Sequence, residues 1–286
     1  MKNVLTNIFS AACELLRGWP ALGVLSLLYA ALLGAFYLFI TTREASVWQL
    51  LVTVVMAVAV PVLFFVLLAG SARAALGETR AIALLGQALW KSWQFVLISL
   101  PLVALAALFI YGTDKLENRV KPSEAEMARL IAERQERAES RPESAPAPQP
   151  PVRWGYVVVI ALRLLLLGVV LPLLAISLWL AVARDGLGNA LTNMLNGSGN
   201  LLARAFAPQS VLTYGVGMIL FALVPYFLLF VPARVESNWL ELTLFSLRLL
   251  LAFVFTLFGW AVTMRALART SEVTSGAPES SSPVTQ

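Results

Sequence analysis

The chain has 286 residues, 59% of them hydrophobic and only 13% charged, with a formal net charge of +5. That charge is too sparse to cover a water-soluble domain of this length, so a soluble fold is excluded and an all-α polytopic membrane protein is expected. There is no histidine and a single cysteine, which removes the usual general base, the commonest zinc and haem ligand, and any intramolecular disulfide.

In chain order, residues 3–17 place Val4, Ile8, Leu15 and Leu16 on one side of a helix and Asn3, Asn7, Glu14 and Arg17 on the other. This predicts an amphipathic helix on the membrane surface rather than a cleavable signal peptide, with Cys13 as a small buried apolar residue. Six apolar blocks follow, at about 20–40, 47–70, 94–111, 155–182, 211–231 and 241–264. Each is near the roughly 20 residues that a spanning helix needs. Between the third and fourth lies an external loop, 112–153. Ser123 and Glu126 form a capping box there, 123–140 reads as a charged helix, and 141–151 is a proline-rich spacer. The tail, 270–286, is rich in Ser and Pro and is expected to be disordered.

Short loops set orientation through Lys and Arg. Nine such residues fall on one side: Lys2, Arg17, Arg73, Arg80, Lys91, Arg184, Arg204, Arg265 and Arg269. Only Arg43 and Arg234 fall on the other, so both termini are expected to be cytoplasmic. The loop 112–153 holds eight basic and eight acidic residues, and long loops weigh little in insertion. The basic residues are spread over several loops rather than gathered on one face, so nucleic acid is not an expected partner.

An internal repeat organises these blocks. Trp154, Arg163 and Arg184 recur at the same spacing as Trp239, Arg248 and Arg269, and Leu162–Leu166 matches Leu247–Leu251. Pro61 precedes Arg73 by twelve residues, as Pro172 precedes Arg184. Three helix hairpins in one orientation are expected, each preceded by an amphipathic interfacial helix. A cation and an aromatic mark each junction into an outgoing span: Arg17-Gly18-Trp19, Lys91-Ser92-Trp93 and Arg204-Ala205-Phe206. With Trp154 and Trp239 these are expected anchors at headgroup depth. Each returning span ends in Ala-Arg, and Leu76-Gly77 and Leu187-Gly188 follow the first two at one offset.

This alternation of surface helix and hairpin, with its basic-x-aromatic junctions, resembles the membrane domain attached to some bacterial glycerophosphodiester phosphodiesterases. It is also similar to related six-helix membrane proteins. The resemblance spans most of residues 1–269 and implies a bacterial inner-membrane protein. In the fused enzymes a separate soluble domain carries catalysis, and no such domain stands within these 286 residues, so the activity is not implied.

Arg163 and Arg248 are the charges well inside the expected spans. Each lies nine residues beyond its Trp, about 13 Å deep at 1.5 Å per residue. Two readings are open. Both arginines line a cavity open to the outside and bind an anion or lipid headgroup. Alternatively, each snorkels to the headgroups or bonds a neighbouring carbonyl. Val52 occupies the matching position in the first hairpin. Pro61, Pro101, Pro172 and Pro225 lie within spans, as hinges or as ordinary kinks. No carboxylate pair falls inside an expected span, and no nucleotide-binding, nucleophile-elbow or HExxH pattern occurs. The expected function is therefore non-catalytic and without cofactor. It is binding of lipid, another membrane protein or an external partner of the loop 112–153, in envelope homeostasis or complex assembly. The alternative is a transporter for an anionic or amphipathic small molecule using Arg163 and Arg248.

Overall fold

The computed structural model describes residues 2–42, 46–120, 132, 154–196, 198–231 and 238–275. Among these the chain is helical almost throughout and contains no strand. The helices are α1 Lys2–Arg17, α2 Trp19–Thr41, α3 Val47–Ala75, α4 Ala81–Val120, α5 Trp154–Leu165, α6 Leu171–Asp185, α7 Leu187–Asn196, α8 Ser198–Ala205, α9 Pro208–Met218, α10 Val224–Phe230 and α11 Asn238–Ser275. Six helical stretches are long and apolar enough to cross a membrane: Trp19–Thr41, Val47–Ala75, Ala81–Val120, Trp154–Asp185, Pro208–Phe230 and Trp239–Ser271.

Local chemistry explains several boundaries. Ser46 caps α3, its hydroxyl accepting from the Gln49 amide at 3.3 Å. Pro20 and Pro208 sit in the first turns of α2 and α9, where no intrahelical N–H is needed. At the end of α3 the Glu78 amide donates to the Arg73 carbonyl at 3.2 Å and the Gly77 amide to the Ala74 carbonyl at 3.1 Å. That reversal needs a left-handed residue, and Gly77 supplies it with φ of 100°. After α6 the left-handed glycine is Gly186, with φ of 80°. Gly188, which matches Gly77 in sequence, lies inside α7. The paired Leu-Gly motifs therefore occupy different structural positions.

Two π-helical turns, Leu166–Val170 and Ile219–Leu223, interrupt the fourth and fifth spans. Each begins six residues before a proline, Pro172 and Pro225 respectively. A proline has no N–H to give and its ring pushes on the carbonyl four residues back; a widened turn relieves that crowding. Pro61 and Pro101 lie in helices without such a turn.

Several expected boundaries move. The second amphipathic segment is not a separate surface helix. It is continuous with its span in the 40-residue α4, about 60 Å long at 1.5 Å per residue. Of its expected apolar face, Ile82, Leu85, Leu89 and Trp93, all but the half-buried Leu85 are exposed, while Leu84 and Ala88 on the opposite side are fully buried. The same helix carries the chain to Val120, so the loop expected from residue 112 is helical over its first nine positions. Asp114 and Glu117 thus become helical residues. The tail expected from Thr270 is helical through Ser275. Thr270 and Ser271 turn their hydroxyls back onto the carbonyls of Ala266 and Ala268, at 2.8 and 2.6 Å, which satisfies them within the helix. The capping box at Ser123 and Glu126, the proline-rich spacer and residues 276–286 lie outside the described residues. α7 ends at Asn196 and α8 begins at Ser198.

The chain divides into two compact units, residues 1–100 with 173–286, and residues 101–172. The borders fall at Pro101 and Pro172. In the larger unit the stripe Val4, Ile8, Ala11 and Leu15 of α1 packs with Ala21, Leu25, Ala74, Leu84, Leu257, Ala261 and Ala266. Gly70 lets α2, α3 and α4 meet there. A Cβ on it would stand 3.2 Å from Leu25 Cδ2 and 3.5 Å from Leu84 Cδ2. In the smaller unit the end of α4 runs antiparallel to α5, with a Cβ on Gly155 falling 2.9 Å from Val120 Cγ1.

Candidate functional site

The matched arginines are each engaged by their own chain. In the smaller unit, Arg163 Nη1 donates to Asp114 Oδ1 at 3.0 Å and lies 3.8 Å from Glu117 Oε2. Asp114 and Glu117 stand three apart on α4, so one turn of helix presents both carboxylates to the same guanidinium. The carboxylates were missed in the sequence because the apolar block ends at residue 111, three positions short of Asp114. A guanidinium in apolar surroundings is costly unless paired. This arrangement compensates it, with two negative charges against one positive.

In the larger unit, Arg248 Nη1 donates to the Val231 carbonyl at 2.7 Å. Val231 ends α10 in an extended conformation. The last carbonyls of a helix have no intrahelical donor, and a cation there also meets the negative end of the helix dipole. Of the two readings of Arg248, the structure gives the carbonyl bond.

The densest polar cluster lies elsewhere in the larger unit, where α1 meets α11. Arg265 donates from Nε and Nη2 to Glu14 Oε2, at 3.1 and 2.7 Å, and from Nη1 to the Ala74 carbonyl at 3.0 Å. Arg269 Nη2 closes on the same carboxylate oxygen, and its Nη1 bonds Ser10 Oγ at 2.6 Å. Asn7 Nδ2 donates to the Ala266 carbonyl at 3.3 Å. Hydrogen bonds from Arg265 and then Arg269 hold the Glu14 carboxyl below its ordinary value of 4.5. Arg265 and Arg269 are four apart on α11, and Ser10 and Glu14 four apart on α1, so both pairs sit on facing sides of their helices.

Beside this cluster is a groove of about 390 Å³, lined by Glu14, Arg17, Trp19, Thr79 and Arg265 among others. It opens where α1 gives way to α2. Gly18 at the junction is buried, and a Cβ there would stand 3.2 Å from Thr79 Cγ2. A smaller cavity of about 270 Å³ lies at the α3–α4 turn, against Arg73, Glu78 and Gln87.

The expected anchors divide by exposure. Trp19, Trp93, Trp154, Trp239 and Arg17 are exposed, while Lys91 and Phe206 are half-buried. Arg204 lies on α8. The alanines before the three terminal arginines, Ala72, Ala183 and Ala268, are all buried. Cys13 is half-buried on α1. Among the described residues no group of acidic, Cys or His side chains is placed to hold a metal ion. No protein-family model, characterised protein or solved structure matches the chain.

Proposed function

We propose that this chain is a non-catalytic multi-pass membrane protein that binds lipid or a protein partner, in envelope homeostasis or complex assembly. Its plan is three like-oriented hairpins in a bacterial inner membrane, with both termini cytoplasmic. The observation that carries the reading is the engagement of both matched arginines by the chain itself. Arg163 is held by Asp114 and Glu117, and Arg248 by the Val231 carbonyl. A guanidinium already neutralised or spent on a helix end is a poor ligand for a passing anion, because binding would first break those bonds. Three buried alanines before three arginines support the repeated plan, and the basic bias of the short loops supports the orientation.

A second reading, a transporter for an anionic or amphipathic small molecule, draws on the π turns before Pro172 and Pro225. Interrupted spans occur where solutes cross. Proteoliposomes carrying the full chain, tested with anionic solutes and with labelled phospholipids, separate the two. The expected outcome is no flux above protein-free vesicles. Flux that disappears in Arg163→Gln or Arg248→Gln, with both variants still inserted, overturns the non-transport reading.

A further inference from the structure

We propose that the groove at the α1–α2 junction binds the phosphate-bearing headgroup of an anionic phospholipid. This deepens the lipid-binding reading above and rests on it. Charge comes first. Arg17 and Arg265 line the groove together with the single carboxylate of Glu14, and Arg269 pairs with that carboxylate from outside the lining. Within the lining, two positive charges against one leave an excess of one. Glu78 and Arg80, on either side of Thr79, cancel each other. A net positive groove attracts a phosphodiester.

The arrangement is also organised in advance. Arg265 is fixed by three hydrogen bonds to Glu14 and to the Ala74 carbonyl, so it adds charge to the groove wall without moving. Arg17 is the contrast: it is exposed, lines the groove, and has no hydrogen bond or ion pair among the described residues. Its donors are available to a phosphate. Thr79 also lines the groove.

The surroundings decide between a soluble anion and a lipid. Besides its buried stripe, α1 carries a second one, Leu5, Phe9 and Leu16, which are 54%, 71% and 60% exposed. At 100° per residue the two stripes lie about a third of a turn apart. Trp19, 74% exposed, follows just past Gly18 and forms part of the groove itself. A run of large apolar side chains is poorly placed in water and well placed against acyl chains. Apolar body and indole N–H suit Trp19 to headgroup depth. The groove therefore presents positive charge directly beside a surface suited to hydrocarbon, which is the layout of an anionic phospholipid.

The test uses the full chain, delipidated in a neutral detergent and titrated with short-chain phosphatidylglycerol or phosphatidylcholine, with bound lipid counted by native mass spectrometry. Phosphatidylglycerol is expected to bind more tightly. Arg17→Gln should weaken it about fivefold and Arg17→Glu about twenty-five-fold, as expected for one and two units of interfacial charge. The melting temperature should be unchanged in both variants, since Arg17 holds nothing in place. Equal binding of the two lipids overturns the anionic headgroup. A preference for phosphatidylglycerol that survives Arg17→Glu overturns the groove as its location. Both of those results leave the lipid-binding reading standing. If neither lipid binds, that reading is overturned as well. Inorganic phosphate competing at the same concentration as the lipid makes the site one for a soluble anion, and overturns the lipid as ligand.

Discussion

The α4–α5 pair and the pair that α11 forms with α9, α10 and their π turn carry the same sequence signature, a Trp followed nine residues later by the arginine of Leu-Arg-Leu-Leu-Leu. They are held by different physics. In the first, an arginine meets two carboxylates, and a glycine faces the tip of a valine side chain. In the second, contact is backbone against backbone. A Cβ on Gly259 would lie 3.0 Å from the Phe221 amide nitrogen, and one on Gly217 would overlap Thr263. The Thr263 hydroxyl donates to the Gly259 carbonyl at 2.6 Å. Phe221 and Trp260 add an edge-to-face contact at 5.6 Å. Small residues bring spanning helices close enough for dispersion and weak polar contacts to hold them. The lesson is that a repeated motif sets where an arginine sits along its own helix, while the neighbouring helix decides what that arginine does.

The sharpest way to break this contrast is to add one methyl group to each pair. Gly259→Ala drives a Cβ into the backbone of Leu220 and Phe221, which cannot swing aside. A loss of about 1–3 kcal/mol is expected, the usual cost of overpacking, read as a drop of several degrees in the thermal unfolding midpoint of the detergent-solubilised chain. Gly155→Ala meets Val120 Cγ1, the end of a side chain that can change rotamer. Its cost should be less than half as large. Equal losses in the two variants would remove the distinction.

The next largest effect belongs to the ion pair. Arg163→Gln leaves Asp114 and Glu117 facing each other without a cation, whereas Asp114→Asn leaves Glu117, 3.8 Å away, to take over. Arg163→Gln should therefore be the costlier of the two. Water-exposed pairs couple by about 0.2–1 kcal/mol. The residues that flank Arg163, from Trp154 to Leu165, are almost all apolar, so a double-mutant cycle should give a larger coupling, about 1–2 kcal/mol. A coupling near zero would mean that water bathes the pair, and that packing alone closes these helices.

Much of the architecture was legible because it rests on composition. Six apolar blocks announce six long helices, since only a helix satisfies its own backbone in hydrocarbon. The buried stripe of α1 was half legible. Val4, Ile8 and Leu15 were read as one face, but Leu16 belongs to the exposed stripe and Ala11 to the buried one. The error came from expecting one apolar side on a helix that has two. The second amphipathic segment misled for a related reason. Ile82, Leu85, Leu89 and Trp93 form its strongest stripe, and in a chain of this composition the largest apolar residues need not face the protein. The Glu14 cluster could not be read at all. Glu14 and Arg265 stand 251 positions apart, and nothing local to either tells of the other. The carboxylates beside Arg163 left a faint signal, as acidic residues at i and i+3 just beyond an apolar block. Treating that block's end as the helix's end concealed it.

The smallest effect sharpens the comparison most finely, because it concerns the matched arginine itself. Arg248 spends Nη1 on one carbonyl at the end of α10, and a cation at a helix C-terminus contributes about 0.3–1 kcal/mol. Arg248→Gln keeps a donor within reach of Val231, so the unfolding midpoint should move by no more than about 2 °C for a chain of this size. The change should instead be local. Amide exchange in Val224–Phe230 should quicken by up to about fivefold, the rate equivalent of losing such a cap. Exchange in α9 should stay as it was. Arg248→Leu, which removes the donor altogether, should exceed Arg248→Gln and remain below Arg163→Gln. The ranking follows from what each arginine faces: two ionised groups in one case, a single helix-end carbonyl in the other. If Arg248→Leu proved as costly as Arg163→Gln, then Arg248 would be compensating something beyond the Val231 carbonyl. The reading of the two arginines as a matched pair serving an anion would then be open again.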